Sequence, residues 1–233
     1  MPKRTKRLYN QADEWKQFST SYLKRFPKAD LHVHLDGSIR VNTLWQLAKT
    51  QGVKLGASSA QALKKKVVVD AKVKNLGDYL KSFDITLRVL QTFDALARVA
   101  YELAEDAAKE NVRYMEVRYS PLLHLANGLT IQDTVDAVLT GLHKAEAKYR
   151  IKTGIILCGM RHLSAKRSLE LADAAVAYMG EGVVAFDLAG QEKDYPAKKH
   201  KEAFYRVLNA NQNVTVHAGE AFGPASIHQA IHY

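Results

Sequence analysis

Two histidines one residue apart, His32 and His34, close an apolar run in KADLHVHLDGSIR (residues 28–40), and Asp36 and Gly37 follow at once. In an extended strand, residues i and i+2 point to one face. Both imidazoles therefore project together, while Leu31, Val33 and Leu35 turn the other way, toward covering helices. Two adjacent imidazoles can share one metal ion; two packed core histidines are the alternative for an isolated His-x-His. A third histidine, His217, ends another apolar run in VTVHAGE (214–220). If both runs are parallel strands, their ends share one mouth, and three imidazole nitrogens there suit zinc. Such an ion makes an activated water available near neutral pH, which is hydrolytic chemistry. Glu220, in the loop beyond His217, is placed to face that ion without binding it; its plainer reading is a carboxylate favoured by the dipole of the next helix. Asp36 alone is an ordinary turn residue, but beside two ligands it becomes a candidate partner for a substrate hydroxyl.

Composition narrows the field. The chain has 233 residues, 47% of them hydrophobic, enough to bury a substantial core as one domain. The single cysteine, Cys158, excludes an intramolecular disulfide and every zinc site that needs two thiolates. No run of about 18 apolar residues is present and the N-terminus has charge without an apolar core, so a cytoplasmic protein without membrane contact is expected. The net charge is +10, but residues 1–28 hold eight Lys/Arg against Asp13 and Glu14. More than half of the excess thus sits in a leading basic arm, which reads as a solvated face rather than a nucleic-acid surface, since no aromatic-interleaved basic motif accompanies it. Nothing sets the oligomeric state, and a monomer is the simplest expectation.

Positioning these side chains requires a parallel sheet. After ADLHVHL comes a helix-rich insertion over about residues 41–111, with Phe93, Leu96, Ala100, Leu103 and Ala107 as an apolar stripe. Strands then alternate with helices. VRYMEVRYS (112–120) is followed by a helix over 130–149 opened by Thr130 and Asp133. KTGIILC (152–158) precedes a helix over 164–179 that shows Leu169, Ala172, Val176 and Met179 on one face and closes at Gly180. GVVAFDL (182–188), a helix over 197–211 and NVTVH (213–217) complete the pattern. Regular βαβα order predicts an α/β fold, with a (β/α)8 barrel leading and an open doubly wound sheet second. Glu116 and Arg118 share a strand face and are expected to pair. His124, His143, His162, His200, His228 and His232 lack ligand spacing and read as surface or packing residues, and Cys158 as a small buried side chain.

Four stretches together, DLHVHLDGS, EVRYSP (116–121), DLAGQE (187–192) and HAGE (217–220), resemble the adenosine deaminase family in order and spacing, over essentially the whole chain after the arm. The resemblance implies a TIM barrel that converts adenosine and 2′-deoxyadenosine to inosine-type products and ammonia. It implies Zn2+ on His32, His34 and His217, with Glu220 as the acid that protonates purine N1. Gly190 would offer its backbone N–H to purine N3, its plainer reading being a strand-end turn. Asp36, with His34 beside it, would meet the ribose 5′-hydroxyl, and Tyr79, Leu80 and Phe83 would cover the purine, a helical spacing that a merely buried face also gives. Asp36 favours the nucleoside over free adenine, because the related adenine deaminases tend to carry Glu in this stretch.

The family pattern also has a later GHG-type histidine and a last strand with paired aspartates, one of them a zinc ligand. Against it, this sequence corresponds to the N-terminal two-thirds of one barrel, residues 29–233, with about five βα units following the arm and helix of 1–28. As an isolated piece it is expected to bind zinc weakly and turn over little. A deaminase of adenine or of a modified adenosine, and a non-catalytic nucleoside- or protein-binding fragment, remain the alternative functions.

Overall fold

The computed structural model describes residues 18–68 and 75–232; most of the basic arm lies outside them. After a short helix α1 (Thr20–Arg25), strand β1 (Lys28–His34) enters the sheet. The insertion supplies α2 (Val41–Thr50), α3 (Ala60–Val67), α4 (Leu76–Leu80), α5 (Phe83–Leu87) and α6 (Phe93–Lys109). Then β2 (Val112–Tyr119), α7 (Ile131–Glu146), β3 (Lys152–Met160), α8 (Ala165–Ala177), β4 (Val183–Ala189), α9 (Lys201–Asn209), β5 (Asn213–Val214) and α10 (Gly223–His232) alternate. Neighbouring strands all run parallel in the order β1-β2-β3-β4-β5. That sequential order is the wall of a (β/α)8 barrel, and five of its βα units are present. A doubly wound sheet would reverse the order at a switch point. No helix among the described residues is long and apolar enough to cross a membrane.

Local chemistry sets the element ends. Thr130 and Asp133 form the expected reciprocal cap of α7: Thr130 Oγ1 accepts from the Asp133 N–H at 3.0 Å and Asp133 Oδ2 accepts from the Thr130 N–H at 2.8 Å. Asn111, with φ of 66°, turns the chain from α6 into β2. Arg40 anchors the segment after Asp36 by two bonds to Asp106, 2.5 and 2.8 Å, and one to Glu105 at 2.6 Å, so the start of α2 is tied to α6.

Several expectations need correction. β5 is only two residues long, although backbone bonds from Thr215 N to Phe186 O and from His217 N to Leu188 O, 2.8 and 3.1 Å, carry the chain alongside β4 as far as His217. The helix expected over 197–211 begins as a 3-10 turn and becomes α-helical at Lys201. Among the described residues β1 has one neighbouring strand, β2, and Leu31 is 53% exposed rather than covered by helices. In α8 the buried face runs through Ser168, Leu171, Ala172, Ala174 and Ala175, leaving Leu169 and Met179 exposed. Ser168 can face inward because its hydroxyl meets His200 Nδ1 at 2.8 Å, a polar contact that hydrophobic patterning misses. In α6 the buried set is Ala95, Leu96, Val99, Ala100 and Ala104, with Phe93 outside it. Small residues win there because α7 approaches closely through Gly141, where a Cβ would fall on the Ala97 carbonyl oxygen and 2.9 Å from Ala100 Cβ.

Gly141→Ala is therefore expected to push α6 and α7 apart and destabilise the fold by about 1–3 kcal/mol, read from the urea midpoint. A second expectation concerns His124, fully buried, with Nδ1 2.7 Å from Leu90 O and Nε2 unpartnered. Burial lowers its pKa from 6.5 to about 4. The unfolded chain takes up this proton more readily, so the contribution of His124 is complete above about pH 6.5 and falls away as the pH drops toward 4. His124→Gln should flatten that part of the stability profile in chemical denaturation at pH 7 and pH 5.

Candidate active site

The C-terminal ends of the strands open on a cavity of about 1040 Å3. β1 delivers His32 and His34, and the segment after β5 delivers His217 from the opposite edge of the sheet. Their Nε2 atoms converge: His32 to His34 is 3.2 Å and His34 to His217 is 3.3 Å, and the three side chains offer ligand atoms within 4.8 Å of one another. On one tetrahedral ion with metal–nitrogen distances of about 2.0–2.1 Å, donor atoms lie about 3.3–3.4 Å apart, so this spacing fits a metal. The charge states fit as well. Burial, reinforced by His217 and His32, lowers the His34 pKa to about 4. Burial and the Arg118 guanidinium lower that of His32. Both imidazoles are thus neutral near pH 7, the form that ligates.

Beneath the histidines lies Asp187, a fully buried carboxylate of β4. Its Oδ2 is 2.8 Å from His217 Nδ1 and 3.0 Å from Arg118 Nη1. Burial alone would raise this carboxyl, but His217 and Arg118 outweigh it and hold the group well below the usual carboxylate range. Contact at Nδ1 leaves His217 Nε2 free to point at the other two histidines. Arg118 also donates to Leu31 O at 3.0 Å, tying β2 to β1. The expected Glu116–Arg118 pair is absent; Glu116 accepts from the Tyr114 hydroxyl at 2.9 Å instead. Arg118 finds the deeper carboxylate because β4 presents Asp187 inside the curve of the sheet. Asp187 was visible in the sequence as the one charge within VVAFDLA, and that interruption is the signal for it. Cys158 is buried as expected; its Sγ lies 3.4 Å from Asp187 Oδ2, and burial pushes its thiol pKa up.

The other expected residues share the cavity wall. Glu220 lies exposed on the loop after His217. Asp36 is buried, with Oδ1 unpartnered; burial raises its carboxyl to about 6 against the pull of its own N–H and that of Gly37. Gly190 has φ of 100°, and a Cβ on it would come within 3.3 Å of Met160 Cε, so both conformation and space call for glycine. Tyr79 and Phe83 stack edge to face at 5.4 Å, and the Phe83 ring lies 6.3 Å from that of His34. Leu80 joins them on the wall, so the insertion roofs the cavity through α4 and α5. Tyr79 stands half-exposed, its phenol pKa raised by burial and by the charges of Glu220 and Asp36. His162, read as a bystander, also lines the cavity, beside Gly190. His124 and His200 are packing residues, as expected.

Residues 27–233 match the adenosine deaminase family. The chain belongs to that family. An adenosine deaminase of Clostridium perfringens is 42% identical over 209 residues, which is 90% of this chain and 63% of that protein. Two solved structures share the fold. A Burkholderia ambifaria amidohydrolase with bound zinc superposes with a TM-score of 0.82 at 25% identity, over 93% of this chain and 59% of the other. An adenine deaminase of Arthrobacter aurescens gives 0.79 at 26% identity, over 88% and 62%. This chain spans less than two thirds of each. If the three imidazoles hold a metal ion, Asp187→Asn is expected to weaken its binding by about 10–100-fold, because the amide no longer fixes His217; titration with a competing chelator measures it.

Proposed function

We propose that this cavity is the active site of a zinc-dependent hydrolase that deaminates adenosine and 2′-deoxyadenosine, releasing ammonia and leaving inosine or 2′-deoxyinosine. The observation that carries the reading is the convergence of three imidazole nitrogens at tetrahedral spacing on a wall that also holds Glu220. A zinc ion held by His32, His34 and His217 would supply an activated water near neutral pH. Residues of this chain supply further parts of the reaction. Addition of water at C6 breaks the aromaticity of the purine and builds charge on the ring. A proton delivered to N1 by Glu220 as that charge develops lowers the barrier. Gly190 presents its backbone N–H to purine N3, and its missing side chain lets the ring approach. Asp36, with an unpartnered buried oxygen, accepts the 5′-hydroxyl of the sugar, which favours the nucleoside over adenine. Tyr79, Leu80 and Phe83 cover the base and limit access of bulk water.

The complete zinc-replete protein, with the later histidine and aspartate of the family pattern, should convert adenosine to inosine, followed by the fall in ultraviolet absorbance, while Glu220→Gln loses about 10²–10⁴-fold in rate. Adenosine left untouched by that complete parent protein, at verified zinc content, would overturn the reading. Loss of a hydrogen bond to a charged group costs about 1.5–3 kcal/mol, so Asp36→Ala should lower kcat/KM for adenosine by roughly 10–100-fold. The same change should affect adenine much less.

A further inference from the structure

Glu192 has no part in the chemistry proposed above, yet it is among the most heavily bonded side chains near the cavity. It is only 3% exposed. Its Oε1 accepts from Gly219 N at 2.7 Å and from Ser226 Oγ at 2.9 Å, and its Oε2 accepts from Ala221 N and Phe222 N, both at 2.7 Å. The backbone donors flank Glu220 on both sides, and Ser226 belongs to the first turn of α10. These bonds hold the carboxyl below the ordinary value despite its burial. A second brace crosses the same two segments: Arg161 donates to His217 O at 2.7 Å and to Tyr195 O at 2.8 Å. Gly219, with φ of 84°, makes the turn that brings its N–H to the carboxylate.

We propose that Glu192 is a positioning residue for Glu220: its carboxylate fixes the backbone on both sides of the proton donor and couples that loop to the segment following Gly190. This rests on the deamination reading, in which Glu220 must meet a ring nitrogen within hydrogen-bond reach. Exposed on its loop, Glu220 owes its direction to the backbone that carries it. A neutral amide at 192 would turn an N–H group toward N–H donors, free one side of the loop and let Glu220 swing. Misplacement of about 1 Å in a reacting group costs about 10²-fold in rate.

The test uses the complete zinc-loaded protein with adenosine. Glu192→Gln should lower kcat by about 10²-fold while KM stays within about threefold and zinc content matches the parent, because binding groups and metal ligands are untouched. Glu192→Asp, which keeps the charge, should recover part of the loss. Ser226→Ala removes one donor and leaves the three backbone bonds, so a several-fold fall in kcat is expected; this variant carries the test should Glu192→Gln not fold. A folded Glu192→Gln with the parent's kcat would overturn the proposal, as would a loss of zinc in parallel with kcat, which would mark a general structural role. So would parent-like kcat in Ser226→Ala where Glu192→Gln does not fold. An inactive parent would sink the deamination reading and this role with it, a result distinct from an active parent with an unimpaired variant.

Discussion

The candidate site depends on one buried charge. Asp187 sits where no water reaches it, and an isolated carboxylate there would be too costly to keep ionised. It stays ionised because β2 brings Arg118 and the segment after β5 brings His217 to the same oxygen. Those contacts fix which end of the sheet is polar and hold three strands at matching heights. They also set the direction in which His217 offers its remaining nitrogen. Removing Arg118 would leave the buried Asp187 carboxylate without its guanidinium, and removing Asp187 would leave that guanidinium buried without a counter-charge, so the pair acts as a unit.

Around that unit the cavity is divided by chemistry. Imidazole occupies the floor, carboxylate and glycine backbone the rim, and aromatic and aliphatic side chains the roof. Each sector comes from a different part of the chain: the strand ends, the loops that follow them, and the helical insertion. The loop that carries Glu220 is held by buried polar bonds. Glu192 and Arg161 serve this purpose from the two sides of the same junction.

Much of this was legible in the sequence, and the reasons differ by residue. His32, His34 and His217 stood out because a strand period of two and a common mouth for parallel strands dictate where their side chains go. The cap at Thr130 and the turn at Gly180 were local and equally plain. What could not be read depends on distance across the fold. Arg118 has carboxylates on two strands within reach of its pattern, and only the curvature of the sheet decides for Asp187 over Glu116. The stripe of α6 held except at Phe93, whereas the face of α8 was misjudged, because a serine with a buried partner counts as core. Glu192 was visible as part of DLAGQE, but its donors are backbone amides, which leave no mark in a sequence.

The two edge strands carry a further consequence. His34 and His217 are 183 residues apart, at opposite margins of the sheet, and their nitrogens meet only when every intervening strand has taken its place. A contact of such long range is expected to form late, after the local helices and the central strands, since closing so long a loop is entropically expensive until the rest has condensed. During synthesis the β1 pair leaves the ribosome first and waits for its partner. The three-imidazole cluster thus reports on how far the sheet has assembled: a chain stalled at β3 or β4 has His32 and His34 together and lacks His217, and the cluster exists only once the segment after β5 lies beside β4.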